Sequence, residues 1–289
     1  MKRALGIICV LLASASSVWA ATETQATATP TSATGQNSAN ERSGFALLKE
    51  KVGVSYYGIY YGPPASDPGS SKQINEWGKP TSNQYFLNYL GLSYKVSKTL
   101  LPGITVMSTY TPVRGQDMTL LDPYLRLTDT KLISSGNWNL YSELRHFLPV
   151  TKASHNAHKM STFGTFQWLT YNVPNTRLSV GAWAKFYWTV FGSGALPGAG
   201  DDYQAFFRPQ MFYTLTPTVA ASLYYEMTGN HTLGKSASDW HTGYTNLQLG
   251  AMWTVVQGVT LNPYLLFNTG GKVTTDTTAL GAQIFATIL

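Results

Sequence analysis

The sequence predicts an all-β fold, a closed antiparallel transmembrane β-barrel of about twelve strands, each crossing with ~9–11 residues. Three observations carry this. Apolar residues recur at every second position over much of the chain, the links between these stretches alternate between short and long, and charge is scarce while aromatics abound. Only 12% of residues are charged and 13% are aromatic, against roughly a quarter charged in an ordinary soluble domain. No sustained apolar run follows the N-terminal segment, which excludes helical membrane spans. Apolar residues spread over alternate positions suit strands with lipid on one side and a wet interior on the other.

Residues 1–20 read as a cleaved signal peptide. Lys2 and Arg3 give a positive start, Ala4–Ala13 is a short apolar run, and Val18-Trp19-Ala20 offers the residues a signal peptidase reads, with Ala21 as the mature start. The run is too short for a span of ~20 residues. Cys9, the one cysteine, lies inside it, so the mature chain is expected to carry no disulfide and no Cys-based metal site. Residues 21–50 form a flexible polar tail. Its stretch ATETQATATPTSATGQNSANERS has neither an aromatic residue nor a periodicity, and cannot bury enough surface to offset the entropy of ordering. Gly44–Glu50 suits a short amphipathic turn at the barrel mouth, as a linker or as a plug.

Residues 51–289 are the barrel. Its clearest strand is RLSVGAWAKFYWTV, Arg177–Val190. Leu178, Val180, Ala182, Ala184, Phe186, Trp188 and Val190 share one face; Arg177, Ser179, Gly181, Trp183, Lys185, Tyr187 and Thr189 share the other. A helix would scatter both sets around its circumference. Similar stretches fall at about 51–61, 84–97, 103–113, 119–129, 137–148, 161–172, 176–191, 203–215, 218–228, 243–255, 259–269 and 278–289. The second, apolar on both faces at Tyr85-Phe86-Leu87, and the third are the weakest. The even-numbered stretches are followed by short links (97–102, 172–175, 216–217, 256–258) and the odd-numbered ones by longer polar links (62–83, 149–160, 192–202, 229–242, 270–277). Two links misfit: 129–136 is long for a short-link position, and 114–118 is short for a long one. Pro123, Pro209 and Pro263 recur in similar local sequences, and a proline in a closed sheet implies a bulge or a strand start.

Alternation turns Lys95, Arg126, Glu143, Arg145, Arg177, Lys185, Arg208, Glu226, Tyr124 and Tyr264 inward as pore-lining residues, with Asp122, Gln167, Gln204, Gln210, Tyr224 and Gln248 beside them. A charge facing lipid at mid-depth costs roughly 2–4 kcal/mol, which favours the inward placement on energy as well as pattern. Cations outnumber carboxylates in this set, so a water-filled path would favour anions or polar solutes. Arg–Glu pairs also fill barrels of this width, so a conducting lumen and a packed one both fit. Tyr56, Tyr60, Trp138, Trp168, Trp188, Tyr213, Trp253 and Phe267 are expected outward, at the membrane interfaces.

The formal charge of +6 is diffuse, with no Lys/Arg run beyond Lys2-Arg3, so no nucleic-acid partner is expected. His155 and His158 sit in a loop without an adjacent carboxylate, and His231, Asp239 and His241 fall in another. Neither set makes a metal site, and no Gly-x-Ser-x-Gly, His-Glu-x-x-His or phosphate-loop motif occurs. No catalytic residue, metal or cofactor is expected, and an enzyme is not.

Signal, two-faced strands and alternating links together resemble Gram-negative outer-membrane channel and porin-like barrels, in pattern and with no specific family assigned. That resemblance implies a site in the cell outer membrane, insertion from the periplasm by the barrel-assembly machinery, periplasmic termini, and contacts with membrane lipids and small solutes. It implies a passive, porin-like channel, with Arg126, Arg145, Arg177, Lys185 and Arg208 biasing the lumen toward anionic or polar solutes. The last strand, ALGAQIFATIL, departs from such barrels by ending in Leu289, with Phe285 as its aromatic residue. Assembly as a homo-oligomer through lipid-facing surfaces is left open. The alternative is a structural or adhesive outer-membrane protein with a filled barrel, acting through outer-loop residues such as Trp77, His155 and Trp240.

Overall fold

The computed structural model describes residues 50–75, 83–113 and 117–288. The signal, Cys9, the tail before Glu50, Trp77 and Leu289 lie outside the described residues.

The strands are β1 (Val52–Pro64), β2 (Tyr85–Tyr94), β3 (Leu100–Tyr110), β4 (Met118–Leu120), β5 (Tyr124–Ser135), β6 (Trp138–Phe147), β7 (Lys159–Asn172), β8 (Leu178–Phe191), β9 (Asp201–Thr216), β10 (Val219–Thr232), β11 (Trp240–Val256), β12 (Val259–Asn268) and β13 (Thr278–Thr287). A short helix, α1 (Lys152–Asn156), lies between β6 and β7. Except for β4 and β5, each strand pairs antiparallel with its sequence neighbour, and β1 pairs with both β2 and β13, which closes the sheet. β4 and β5 both pair with β3 and share one wall position, so the barrel has 12 strands around its circumference. Closure leaves no edge, the condition for a sheet to lie in hydrocarbon.

The ladder shows what the three prolines do. At Pro123 the chain leaves the sheet altogether, between β4 and β5. Around Pro209 the β9–β10 pairing skips from Gln210↔Tyr224 to Phe207↔Met227, while Pro209 still faces Ala182 of β8. Around Pro263 the β11–β12 pairing skips from Gly250↔Tyr264 to Trp253↔Leu261, while Pro263 still faces Ala282 of β13. A missing N–H breaks only the side toward which it would have donated.

At the end that carries Val52 and Thr287, the links are residues 95–99, 136–137, 173–177, 217–218 and 257–258. At the other end they are 65–84, 111–117, 148–158, 192–200, 233–239 and 269–277. The misfit expected at 129–136 is a correction: β5 runs on to Ser135 and turns tightly through Gly136, whose φ of 56° suits a residue without a side chain. The pairing with β6 shifts between Asp129 and Ile133, and this bulge breaks the alternation that would have marked the strand's second half.

Burial is inverted relative to a soluble protein. Leu90, Leu92, Val106, Leu125, Leu144, Phe186 and Leu249 are exposed on the outer surface, while Glu143, Asn246, Asn262 and Ser222 are fully buried inside. One outward polar residue, Asn88, is satisfied locally. Tyr56 lies across Gly58 where a β-carbon would stand, and its hydroxyl donates to Asn88 Oδ1 at 2.6 Å.

Candidate functional site: two walls of the lumen

The inward faces of β5–β10 carry a cluster of charges and rings. Glu143 of β6 is its first centre, 1% exposed. Arg145 Nε meets Glu143 Oε1 at 2.5 Å, and Arg126 Nη1 lies 3.7 Å from Oε2. Tyr141 OH and Thr128 Oγ1 donate to Oε2 at 2.8 and 3.0 Å. A carboxylate with this many donors is held ionised and fixed, since a buried charge persists only when paired and hydrogen-bonded. Arg145 also donates to Tyr187 OH at 3.2 Å and lies over the rings of Tyr124 and Phe166, at 5.0 and 5.2 Å.

The second centre lies on β8–β10. Arg208 Nη1 stands 3.8 Å from Glu226 Oε2, and Tyr244 OH donates to Glu226 Oε1 at 2.5 Å. The Arg208 guanidinium covers Trp183 at 4.3 Å and Tyr224 at 4.4 Å. Lys185 Nζ lies 4.2 Å from the Trp183 ring and 5.7 Å from that of Phe206. Ring faces carry negative potential and partly replace water around these cations. Among the described residues, Arg126, Arg145, Lys185 and Arg208 thus share this wall with two carboxylates, Glu143 and Glu226.

The inward faces of β10–β13 are different: they carry amides and hydroxyls. Asn262 is 0% exposed. Its Oδ1 accepts from Ser222 at 3.1 Å, and its Nδ2 donates to Tyr224 OH and Gln283 Oε1, both at 3.4 Å. Gln248 donates to Asn246 at 3.2 Å. Tyr264 lies over Gly281, where a β-carbon would meet its ring.

Among the ten pore-lining residues expected from sequence, Arg126, Glu143, Arg145, Lys185, Arg208, Glu226 and Tyr124 come together in the charged wall, and Tyr264 stands in the amide wall. Lys95 and Arg177 do not join either cluster. They sit in the links next to β2 and β8 at the short-link end, where Arg177 Nη1 donates to Leu215 O at 3.3 Å. Trp138, Trp188 and Trp253 are exposed on the outer surface, and Tyr56 is the outward residue bridging to Asn88. Trp168 is a correction. It pairs with Tyr141 and Trp183 on the inward side, and its indole N–H is buried without a partner; Gln167 faces outward and bonds Ser142 at 2.9 Å. β7 has aromatics on both faces, Phe163 outward and Phe166 inward, so alternation alone left its register undetermined.

Sequence reasoning missed Tyr141, Phe166 and Phe206 as parts of the cluster, and left Trp183 and Tyr187 out of the pore-lining set. The last two shared parity with Lys185 and were findable on that signal. Tyr57 stacks on Tyr89 at 5.4 Å and on Phe285 at 4.8 Å, adding rings from the wall that faces the cluster.

At the long-link end, Asp122 accepts from Thr151 N at 2.9 Å and from Ser154 Oγ, pinning α1. His231 Nδ1 contacts Asp202 Oδ1 at 2.6 Å and its Nε2 contacts Ser236 O at 2.8 Å. His231 lies past the ~10 residues by which β10 crosses hydrocarbon. The Asp202 hydrogen bond, then the Ser236 carbonyl, raise its pKa above the usual histidine value against a smaller opposing effect of desolvation. His155 lies in α1 and Trp240 opens β11, exposed and 6.0 Å from the His231 ring.

The chain is similar in fold to the COG4313 outer membrane channel from Pseudomonas putida F1. The two are 12% identical and align over 82% of this chain and 95% of that one, with a TM-score of 0.54. The fold is that of an outer-membrane barrel. The NanC porin aligns over 81% of this chain and 97% of its own at 9% identity, with a TM-score of 0.45. No family model and no curated protein sequence matches the chain.

Proposed function

We propose that this barrel is a passive outer-membrane channel, porin-like, for small polar or anionic solutes. The observation that carries it is the imbalance on the charged wall, where, among the described residues, Arg126, Arg145, Lys185 and Arg208 stand against two carboxylates, Glu143 and Glu226. A low-dielectric wall with excess positive charge raises the local concentration of anions and rejects cations. The role needs lipid around the barrel, assembly machinery to insert it, and termini at the periplasmic end with the short links. It needs no cofactor and no catalytic step. Planar-bilayer recording of the purified protein tests it: discrete conductance steps are expected, and a silent, correctly folded barrel would sink it.

The rings of Tyr57, Tyr89 and Phe285, stacked against one another inside, favour a second reading, a filled structural barrel acting through its loops. Silence in the bilayer, with binding or assembly lost on removal of residues 233–239, would support that reading instead.

A further inference from the structure

The charged wall has one cation whose pairing differs from all the others. Arg126 and Arg145 share Glu143, and Arg208 has Glu226. Among the described residues, Lys185 has no carboxylate within ion-pair distance, and its ammonium is held only by the faces of Trp183, Phe206 and Phe166. A lumen cation with no carboxylate beside it is open to a counter-charge that enters from solution.

The residues next to it are also short of partners. Trp183↔Arg208 and Gly181↔Gln210 are pairs in the β8–β9 ladder, one and two rungs from Lys185↔Phe206 on the same inward face. Arg208 Nε is buried without a hydrogen bond. Gln210, 6% exposed, has neither its amide nitrogen nor its amide oxygen bonded. Buried polar atoms without partners are rare, and three of them on the adjoining inward positions 208 and 210 of β9 mark a place that suits a group the protein itself does not supply.

We infer that Lys185, Arg208 and Gln210 form a stationary binding site for an organic carboxylate whose body is a ring or another apolar group. This deepens the channel reading and rests on it: the site is a stopping place on the permeation path. An ammonium and a guanidinium edge present donors to two carboxylate oxygens, and the Gln210 amide adds a third donor. Rings line part of the surroundings of both cations, so an anion that docks against them sheds part of its own hydration. Strongly hydrated inorganic phosphate loses more by that exchange than a carboxylate does. The apolar body of the solute then meets Phe206, Phe166 and Tyr57, whose hydroxyl lies within the field of Arg208 and Glu226.

Calorimetric titration of the full-length protein in detergent, with sodium benzoate and with sodium phosphate as probes, tests this. One benzoate is expected per chain, with phosphate weaker by at least about tenfold, and Lys185→Met is expected to weaken benzoate by about tenfold or more. Heat-modifiable gel mobility verifies that the variant is folded; Arg208→Gln, which stays polar and removes the charge, serves where Lys185→Met does not fold. No benzoate binding by the folded protein, equal binding of phosphate, or unchanged binding by both variants overturns the site. Bilayer conductance separates the two readings. Steps without benzoate binding remove the site and leave the channel, whereas benzoate binding by a silent barrel removes the channel and leaves the site.

Discussion

The two walls of the lumen solve the same problem with different chemistry. Both are polar faces enclosed by a sheet that has lipid behind it. On β10–β13, Asn262 bonds Ser222 and Gln283, and Gln248 bonds Asn246, all as neutral dipoles. On β5–β10, the groups are ions, and each Glu draws on at least one Arg and one Tyr. Neutral groups set a shape and add little field. Ions that do not balance set a field, and that field reaches whatever occupies the space between the walls. On the channel reading proposed above, the difference makes one half of the barrel scaffold and assigns selectivity to the other half.

The hardest way to break this division is Glu143→Gln. It leaves Arg126 and Arg145 buried without their carboxylate, and a loss of about 3–5 kcal/mol is expected from denaturant unfolding in lipid or detergent. The same change, in any barrel that still forms, is expected to strengthen anion preference. Asn262→Ala removes the acceptor of Ser222 and the donor to Gln283; a smaller loss of about 1–3 kcal/mol is expected, with no change in ion preference. A shift in preference as large as that from Glu143→Gln would erase the distinction between the walls.

A milder effect is expected at the long-link end. Because both ring nitrogens of His231 face acceptors, the protonated ring is the form that holds Asp202 and Ser236 together. Its folded pKa is raised, so this tether is fully present below the unfolded value of about 6.5 and is lost as pH rises through the folded one. Cleavage by trypsin after Lys235, in the link 233–239, is expected to increase across that window. Asp202→Asn is expected to show the faster cleavage throughout; a pH profile identical in the two proteins would contradict the tether.

Much of this fold was legible because a barrel writes its topology twice, in alternation and in link length. Arg177–Val190 showed both faces of β8, and the links at 216–217 and 256–258 fell where the tight turns are. Legibility failed where alternation was interrupted or ambiguous. The bulge between Asp129 and Ile133 hid the second half of β5, and Pro123 split one wall position into two strands. In β7, rings on both faces put Trp168 outward on paper, whereas pairing with Tyr141 and Trp183 turns it inward. The charged members of the site followed from the cost of exposing charge to lipid. Its aromatic members did not, because a ring is tolerated on either side of the sheet and only the partners across the ladder decide.

The most direct measurement is the reversal potential of the wild-type channel under a KCl gradient across a planar bilayer. Excess positive charge on the β5–β10 wall gives a potential displaced toward the chloride equilibrium value, and the displacement shrinks in Lys185→Met. A potential at zero, or one displaced toward potassium, would contradict the account.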